Sequence, residues 1–174
     1  MLTMFTPILM TFGGANDATR EVAEEIAAIL REELLETEVR PLHSVSGLTG
    51  YGTVMLGAPI TDGHWDEDAR AFLIAHRTEL IALPVAVFAT APPSVDPEDM
   101  ASNRGELLEE LAQLRWLHPI AADLFREAKR PVASPVGTST NGHGSPNGVA
   151  HAFDVDAVRT WARWVARVLH PVTR

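Results

Sequence analysis

The chain opens with a strand-like apolar run that leads, through a loop of small residues, into an amphipathic helix. The run is Ile8–Phe12, the loop begins at Gly13-Gly14, and apolar residues recur at helical spacing from about Ala18 to Glu36. A strand that enters a helix through a tight loop points free backbone N–H groups and the positive end of the helix dipole at one spot. That spot suits a phosphate, so this unit constrains both the fold and the class of ligand.

The same alternation of strand and helix continues along the chain. The predicted strands are Ile8–Phe12, Thr37–Pro41, Thr53–Gly57, Pro84–Thr90 and Pro119–Arg126. The predicted helices are Ala18–Glu36, Trp65–Leu80, Met100–Leu114 and a last helix capped by Asp154 or Asp156. This alternation predicts an α/β fold with a mainly parallel sheet and helices on both faces. Right-handed crossovers favour the strand order 2-1-3-4-5.

Three loops are expected to form the ligand site of such a sheet. Ligands bind beyond the carboxyl ends of the strands, near the switch between the first and third strands. The loops that meet there are Gly13–Thr19, Ala58–Trp65 and Ala91–Pro97. This convergence follows from the topology alone.

Length, charge and composition narrow the class of protein. The 174 residues fit a single domain, residues 1–174, with a Gly/Ser/Pro-rich loop at about Lys129–Ala152. The absence of cysteine excludes disulfides, thiolate catalysis and iron–sulfur clusters. A net charge of −9 with a single lysine argues against nucleic acid and anionic lipid as partners. The N-terminal run has no basic leader, and no apolar run approaches the roughly 20 residues of a membrane span, so we expect a cytoplasmic protein.

Other chemistries find no support in the spacing of residues. The seven histidines form no HxxxH or HxH pair, so no metal site is predicted. The sequence contains neither a GxSxG nucleophile elbow nor a GxxxxGK[ST] phosphate loop. No catalytic side chain is therefore assigned, and whether the protein is an enzyme is left open.

Five segments, taken in order, resemble the flavodoxin-domain family, and within it the menaquinone-dependent, oxygen-independent protoporphyrinogen oxidases. The segments are TREVAEEIAAIL at Thr19–Leu30, VMLGAPITDGHW at Val54–Trp65, ARAFLIAHRTEL at Ala69–Leu80, PVAVFATAP at Pro84–Pro92 and DVDAVRTWARWVARVL at Asp154–Leu169. The resemblance covers nearly the whole chain. It implies a flavodoxin-like three-layer sandwich with a five-stranded parallel sheet of order 2-1-3-4-5.

The resemblance also implies a cofactor and a class of activity. The cofactor would be noncovalent FMN, with its phosphate at the first loop and its ring between the second and third loops. The activity would be electron transfer or quinone-coupled dehydrogenation carried by the flavin, with a redox partner or a small-molecule substrate. The implied cofactor-binding residues are Gly13, Gly14, Ala15, Asn16, Asp17, Ala18, Thr19, Pro59, Ile60, Thr61, Asp62, Gly63, His64, Trp65, Thr90, Ala91 and Pro92.

Trp164 on the last helix is, independently of the resemblance, a candidate for a homodimer or partner surface.

The first loop departs from the family pattern in its side chains. Thr19 supplies its only hydroxyl, and Asp17 stands where a small neutral residue is usual. Two unit charges about 4 Å apart repel by about 4 kcal/mol at an effective dielectric near 20, which is half of the ~8 kcal/mol of a micromolar affinity. Either Asp17 points away and FMN binds, or Asp17 satisfies the loop amides itself. In the second case the chain is a degenerate flavodoxin fold that serves as a binding or interaction module.

The other two loops leave alternatives open as well. Trp65 either stacks on the flavin ring or belongs to the core. His64 either donates a hydrogen bond, to the flavin or to a substrate carboxylate, or has no role in the site. Thr90 can donate a hydrogen bond, but Pro92 and Pro93 remove backbone donors from the third loop.

Overall fold

The computed structural model describes residues 6–14, 17–128 and 153–170. Its strands are β1 (Ile8–Phe12), β2 (Thr37–Pro41), β3 (Thr53–Thr61), β4 (His64–Trp65), β5 (Val85–Ala91) and β6 (Ala121–Arg126). Its helices are α1 (Asp17–Glu32), α2 (Glu67–Ala75), α3 (Arg77–Leu80), α4 (Pro97–Gln113) and α5 (Val155–Leu169), with a 3₁₀ turn at Leu42–Ser44. The loop predicted at Lys129–Ala152 lies outside the described residues.

Five of the strands form a parallel sheet in the order β2-β1-β3-β5-β6. β4 pairs only with β3, and in the antiparallel sense. When the parallel strands alone are counted, this is the predicted order 2-1-3-4-5, which the structure confirms. β1 lies in the interior of the sheet between β2 and β3, so the loop that follows β1 begins near the centre of the carboxyl edge.

Helices cover both faces of the sheet, as predicted. Successive side chains of a strand point to opposite faces, and Met10 packs with α1 and α5 whereas Leu9 packs with α2 and α4. The apolar stripe predicted on the first helix is buried, with Val22 and Ile26 fully inaccessible to solvent. Trp161 on α5 is buried and Trp164 is 49% exposed, in line with the expectation for that helix.

The first helix ends four residues earlier than predicted. Leu34 adopts φ of 65°, its N–H donates to the Arg31 carbonyl, and the Leu35 N–H donates to the Leu30 carbonyl. This is a Schellman ending with leucine in the position that glycine usually takes. The left-handed residue stops the helix at Glu32 although helix-forming residues continue to Glu36.

The helix predicted over Trp65–Leu80 is in fact a strand residue followed by two short helices. Trp65 belongs to β4, and the Asp66 carboxylate caps α2 by accepting from the Ala69 N–H at 3.2 Å. His76 ends α2 with φ of −104° and ψ of 19° and contacts the Phe72 ring at 4.4 Å between centroids. The prediction followed the apolar spacing and missed both the cap and the break.

In the part of the chain that the structure describes, no helix is long and apolar enough to cross a membrane.

Candidate functional site

The three predicted loops come together at the carboxyl edge of the sheet. The Gly13 N–H donates to the Gly57 carbonyl at 2.9 Å, which fixes the start of the first loop against β3. A Cβ on Gly14 would lie 2.7 Å from the Pro59 ring, so the first and second loops are in contact. A hydrogen bond between Thr19 and Thr90 joins the first unit to the third loop.

The first loop requires glycine at its second position. Gly14 has φ of +85°, a conformation that side chains disfavour, and it lies against Pro59 with no room for a Cβ. Ala15 and Asn16 lie outside the described residues, and α1 begins at Asp17. The described part of the loop therefore presents backbone and the start of a helix at this edge.

The Asp17 carboxylate extends into solvent beside α1. Its side chain is 71% exposed, and its Oδ1 lies 3.9 Å from Nη2 of Arg20, one turn further along the helix. An exposed pair of this kind contributes little to stability, about 0.5 kcal/mol or less. This position favours the alternative in which Asp17 points away from the loop amides.

The Thr19 hydroxyl is buried and shared with Thr90. Both residues are fully inaccessible to solvent, and their hydroxyl oxygens are 2.8 Å apart. A hydroxyl has one hydrogen to donate and can also accept. The predicted role of Thr19 as phosphate donor therefore requires Thr90 to donate to Thr19, which leaves the Thr19 hydrogen free.

The second loop is a β-hairpin rather than an irregular loop. Ile60 pairs with Trp65 and Thr61 with His64 across the two-residue turn Asp62-Gly63. Both turn residues have positive φ, 52° and 81°, which is the geometry of a type I′ turn. Asp-Gly between strand residues is the strongest short-range signal for such a hairpin, and the prediction of a loop at Ala58–Trp65 overlooked it.

Trp65 lies in the core beneath the hairpin. It is 4% exposed, and its indole N–H donates to the Ala58 carbonyl at 3.2 Å. These contacts favour the core alternative over stacking on a flavin ring.

Glu110 attaches the hairpin to α4 and was not foreseen. Its Oε1 accepts from the Trp65 backbone N–H at 3.3 Å and lies 3.5 Å from Nδ1 of His64. The Glu110 side chain is 12% exposed, whereas that of His64 is 78% exposed. In the sequence Glu110 is one of several glutamates on a helix, and nothing there distinguishes it before the hairpin is known.

The third loop starts from a buried strand end and reaches the surface at Pro92. Thr90 and Ala91 are fully inaccessible, and the Ala91 carbonyl accepts from the Glu127 N–H at 2.8 Å. Pro92 is exposed, and its carbonyl accepts from the Val95 N–H at 3.1 Å. The two prolines therefore lie in a tight turn at the rim of the site.

A cavity of about 680 Å³ opens beside the first loop. This volume is in the range of small-molecule sites. Its wall includes Pro41 at the end of β2 and the two residues after it, none of which was among the predicted site residues. The lining residues are Phe12, Gly13, Gly14, Pro41, Leu42, His43, Asp66, Asp68 and Phe72.

Among the described residues, no group of three or more histidines, aspartates and glutamates is placed to hold a metal ion.

Comparisons with known proteins agree with this architecture. Residues 9–125 match the family model described as a flavodoxin domain. A protoporphyrinogen IX dehydrogenase [quinone] of Escherichia coli strain K12 is 28% identical over 92 residues, which are 52% of this chain and 51% of the relative. The chain thus matches about half the length of such relatives.

Solved structures show the same fold over nearly the whole chain. Oxidised flavodoxin 1 from Bacillus cereus superposes with a TM-score of 0.61 at 22% identity and covers 94% of this chain and 99% of that one. Rubredoxin oxygen:oxidoreductase from Desulfovibrio gigas gives a TM-score of 0.61 at 14% identity, over 94% of this chain and 36% of that one.

Proposed function

The chain belongs to the flavodoxin-domain family, and from that premise we propose that it binds FMN and acts as an oxidoreductase or electron-transfer protein. The observation that carries the proposal is the junction of three loops at the carboxyl edge. Gly14 lies against Pro59, and Thr19 is hydrogen-bonded to Thr90, so the loops that would hold the phosphate and the ring form one assembly.

The residues present are compatible with a flavin phosphate. The strand, the glycine with positive φ and the start of α1 supply backbone N–H groups and the positive end of a helix dipole. Asp17, the residue most opposed to a phosphate, lies beside Arg20 in an exposed position. The backbone frame fits the group, although the side chains of the loop add little to it.

Within this proposal each loop has a distinct role. Backbone amides of the Gly13–Thr19 loop, other than the Gly13 N–H that already donates to Gly57, would hold the phosphate. The hairpin and the turn at Thr90–Pro92 would flank the ring. Glu110 holds the hairpin against α4, so the second wall is fixed before a ligand arrives. His64 is exposed at the hairpin and can donate a hydrogen bond to the flavin or to a substrate. When bound, the flavin supplies the one- or two-electron chemistry.

Dehydrogenation of protoporphyrinogen IX is the finer form of the proposal. It rests on the printed activity of the Escherichia coli relative, which is matched over about half its length. The net charge of −9 is a poor match for a substrate that carries propionates. We therefore propose electron transfer to a redox partner as an alternative of equal standing to this dehydrogenase activity.

The alternative function is a flavodoxin fold that has lost FMN and serves as a binding module. The observation that favours it is the first loop, which has one buried hydroxyl and an aspartate at the start of the helix.

Purification of the untagged chain from its native host tests the two functions. The proposal predicts a yellow protein that releases FMN on heating, in a ratio approaching one flavin per chain. A colourless protein that takes up no FMN on incubation, and that co-purifies with a protein partner instead, would support the binding module.

A further inference from the structure

The outer side of α5 exposes two large apolar side chains near one edge of the sheet. Trp164 is 49% exposed and Val168 is 47% exposed, and they lie one turn apart on the helix. Tryptophan is enriched in protein–protein interfaces, so a half-exposed one beside a second apolar residue indicates an interaction surface. The exposed residues on this side, which we call the α5 face, are Asp156, Ala157, Thr160, Trp164, Arg167 and Val168.

A shallow acidic depression of about 590 Å³ opens at the N-terminal end of the α5 face. Its wall contains Trp164 and the carboxylates of Asp123, Asp154 and Asp156. Asp123 is already paired with Arg104 at 2.8 Å, and Asp154 caps the start of α5. Because a guanidinium group stacks on indole rings and pairs with carboxylates, the depression fits an arginine side chain.

An exposed arginine occupies the other end of the same face. Arg167 follows Trp164 by three residues and therefore lies on the same side of the helix. In the described part of the chain Arg167 has no ion-pair partner, whereas Arg159 on the flank toward α1 is bound to Glu25 at 2.6 Å. The α5 face is thus acidic at its N-terminal end and basic at its C-terminal end, so it is complementary to a second, antiparallel copy of itself.

An antiparallel pair of α5 helices with its twofold axis at the level of Ala162 brings these opposite ends together. Asp156 and Arg167 lie about 9 Å and about 7.5 Å from that level along the helix, on opposite sides of it. The two distances differ by one residue's rise, so Arg167 of each copy lies beside Asp156 of the other. Thr160 and Trp164 are equally far from the axis, so each indole packs over the threonine of the other copy.

Charge balance also favours this face over the rest of the surface. Two copies of a chain with a net charge of −9 repel each other. Around the α5 face Asp154 and Asp156 are balanced by Arg163 and Arg167, so contact there adds no net repulsion.

We propose that the chain forms a symmetric homodimer through the α5 face, with Arg167 of each copy in the acidic depression of the other. Because this contact is only one helix wide, we expect a reversible dimer with a dissociation constant of about 1–100 μM. The α5 face contains no residue of the three loops of the flavin site, so the dimer does not depend on the proposed function.

Sedimentation velocity of the full chain at about 1 μM to about 300 μM tests the dimer. We expect the average mass to rise with concentration from that of one chain toward that of two. A chain that stays monomeric up to about 300 μM would overturn the proposal.

Charge variants test the antiparallel register. Arg167→Glu should weaken dimerisation at least about tenfold, because it places a carboxylate against Asp156 of the other copy. The double variant Asp156→Arg/Arg167→Glu should recover it, because opposite charges face each other again. Arg115→Glu is the matched control, since it makes the same charge change at an exposed position beyond the end of α4. Equal dissociation constants for Arg167→Glu and Arg115→Glu, or no recovery in the double variant, would overturn the proposal.

Trp164→Ser tests the apolar contact. Circular dichroism should show an unchanged fold because the side chain is half exposed, while dimerisation should weaken at least about tenfold. A folded Trp164→Ser protein that dimerises as tightly as the wild type would show that another surface joins the two copies.

Discussion

The hydroxyl of Thr19 on α1 lies 2.8 Å from the hydroxyl of Thr90 on β5, and both residues are fully buried. The two residues are 71 positions apart in the chain. Their bond connects the helix that follows the first loop to the strand that leads into the third loop. Because a buried hydroxyl without a partner is costly, the pair holds two walls of the proposed site in one arrangement.

Threonine-to-valine substitutions remove the hydroxyl that makes the hydrogen bond and keep a branched side chain at the same position. Thr19→Val or Thr90→Val alone leaves one buried hydroxyl without its partner, and we expect a loss of about 1–3 kcal/mol in the free energy of unfolding. The double variant removes both hydroxyls and should be less destabilised than the sum of the single variants. Urea unfolding of the wild type, the two single variants and the double variant measures these changes in the free energy of unfolding. Strictly additive changes would show that the two hydroxyls do not interact.

Gly14→Ala should damage the first loop. The added Cβ would lie 2.7 Å from the Pro59 ring at a φ of +85°, so we expect a loss of about 1–3 kcal/mol and weaker flavin binding. Gly105→Ala is the matched control, because nothing lies within 4 Å of its Cβ position in α4. That control should be more stable than the wild type by up to about 1 kcal/mol. A Gly14→Ala protein with unchanged thermal midpoint and flavin affinity would contradict the described loop.

Glu110→Ala should loosen the hairpin from α4. The Trp65 N–H loses its acceptor, and we expect faster amide hydrogen exchange at Trp65 and His64 together with a loss of about 1–2 kcal/mol. Glu109→Ala is the matched control, because it removes the same type of side chain from the exposed neighbouring position of the helix. Equal exchange rates in the two variants would show that Glu110 does not anchor the hairpin.

Tyr51 should make stability fall at high pH. Its pKa is raised above 10.0, chiefly by burial and then by the hydrogen bond that its hydroxyl donates to Glu38. A raised pKa means that the folded state favours the neutral phenol, so this contribution is complete below pH 10 and disappears as the pH rises through the folded pKa. Tyr51→Phe should lose that part of the alkaline decline in unfolding free energy. An identical pH profile for the two proteins would contradict this linkage.

The elements most directly predicted from the sequence were the first two strands. Ile8–Phe12 and Thr37–Pro41 have the bounds that were predicted: the first is an apolar run between Pro7 and Gly13, and the second is a short segment of alternating character at the edge of the sheet. The start of α4 was missed, although Asp96 caps the Asp99 N–H at 2.8 Å and Pro97 occupies the first turn. An aspartate followed by proline is a recognisable start signal for a helix.

The site was harder to predict because its decisive contacts are tertiary. The Asp62-Gly63 turn could have been recognised in the sequence as a hairpin signal. The contact of Glu110 with that hairpin could not, because it depends on how α4 packs across the sheet. The Thr19–Thr90 bond likewise requires the register of β5 against its neighbours. Spacing along the chain gave the three loops, whereas the side-chain partners within them came only from the three-dimensional arrangement.

The most direct test of the flavin site is a quenching titration of FMN with purified wild-type chain and with Gly14→Ala. We expect saturable quenching by the wild type with one site per chain and a micromolar or tighter dissociation constant, and clearly weaker binding by the variant. Absence of quenching by the wild type at about 100 μM FMN, a concentration well above any micromolar dissociation constant, would contradict this expectation.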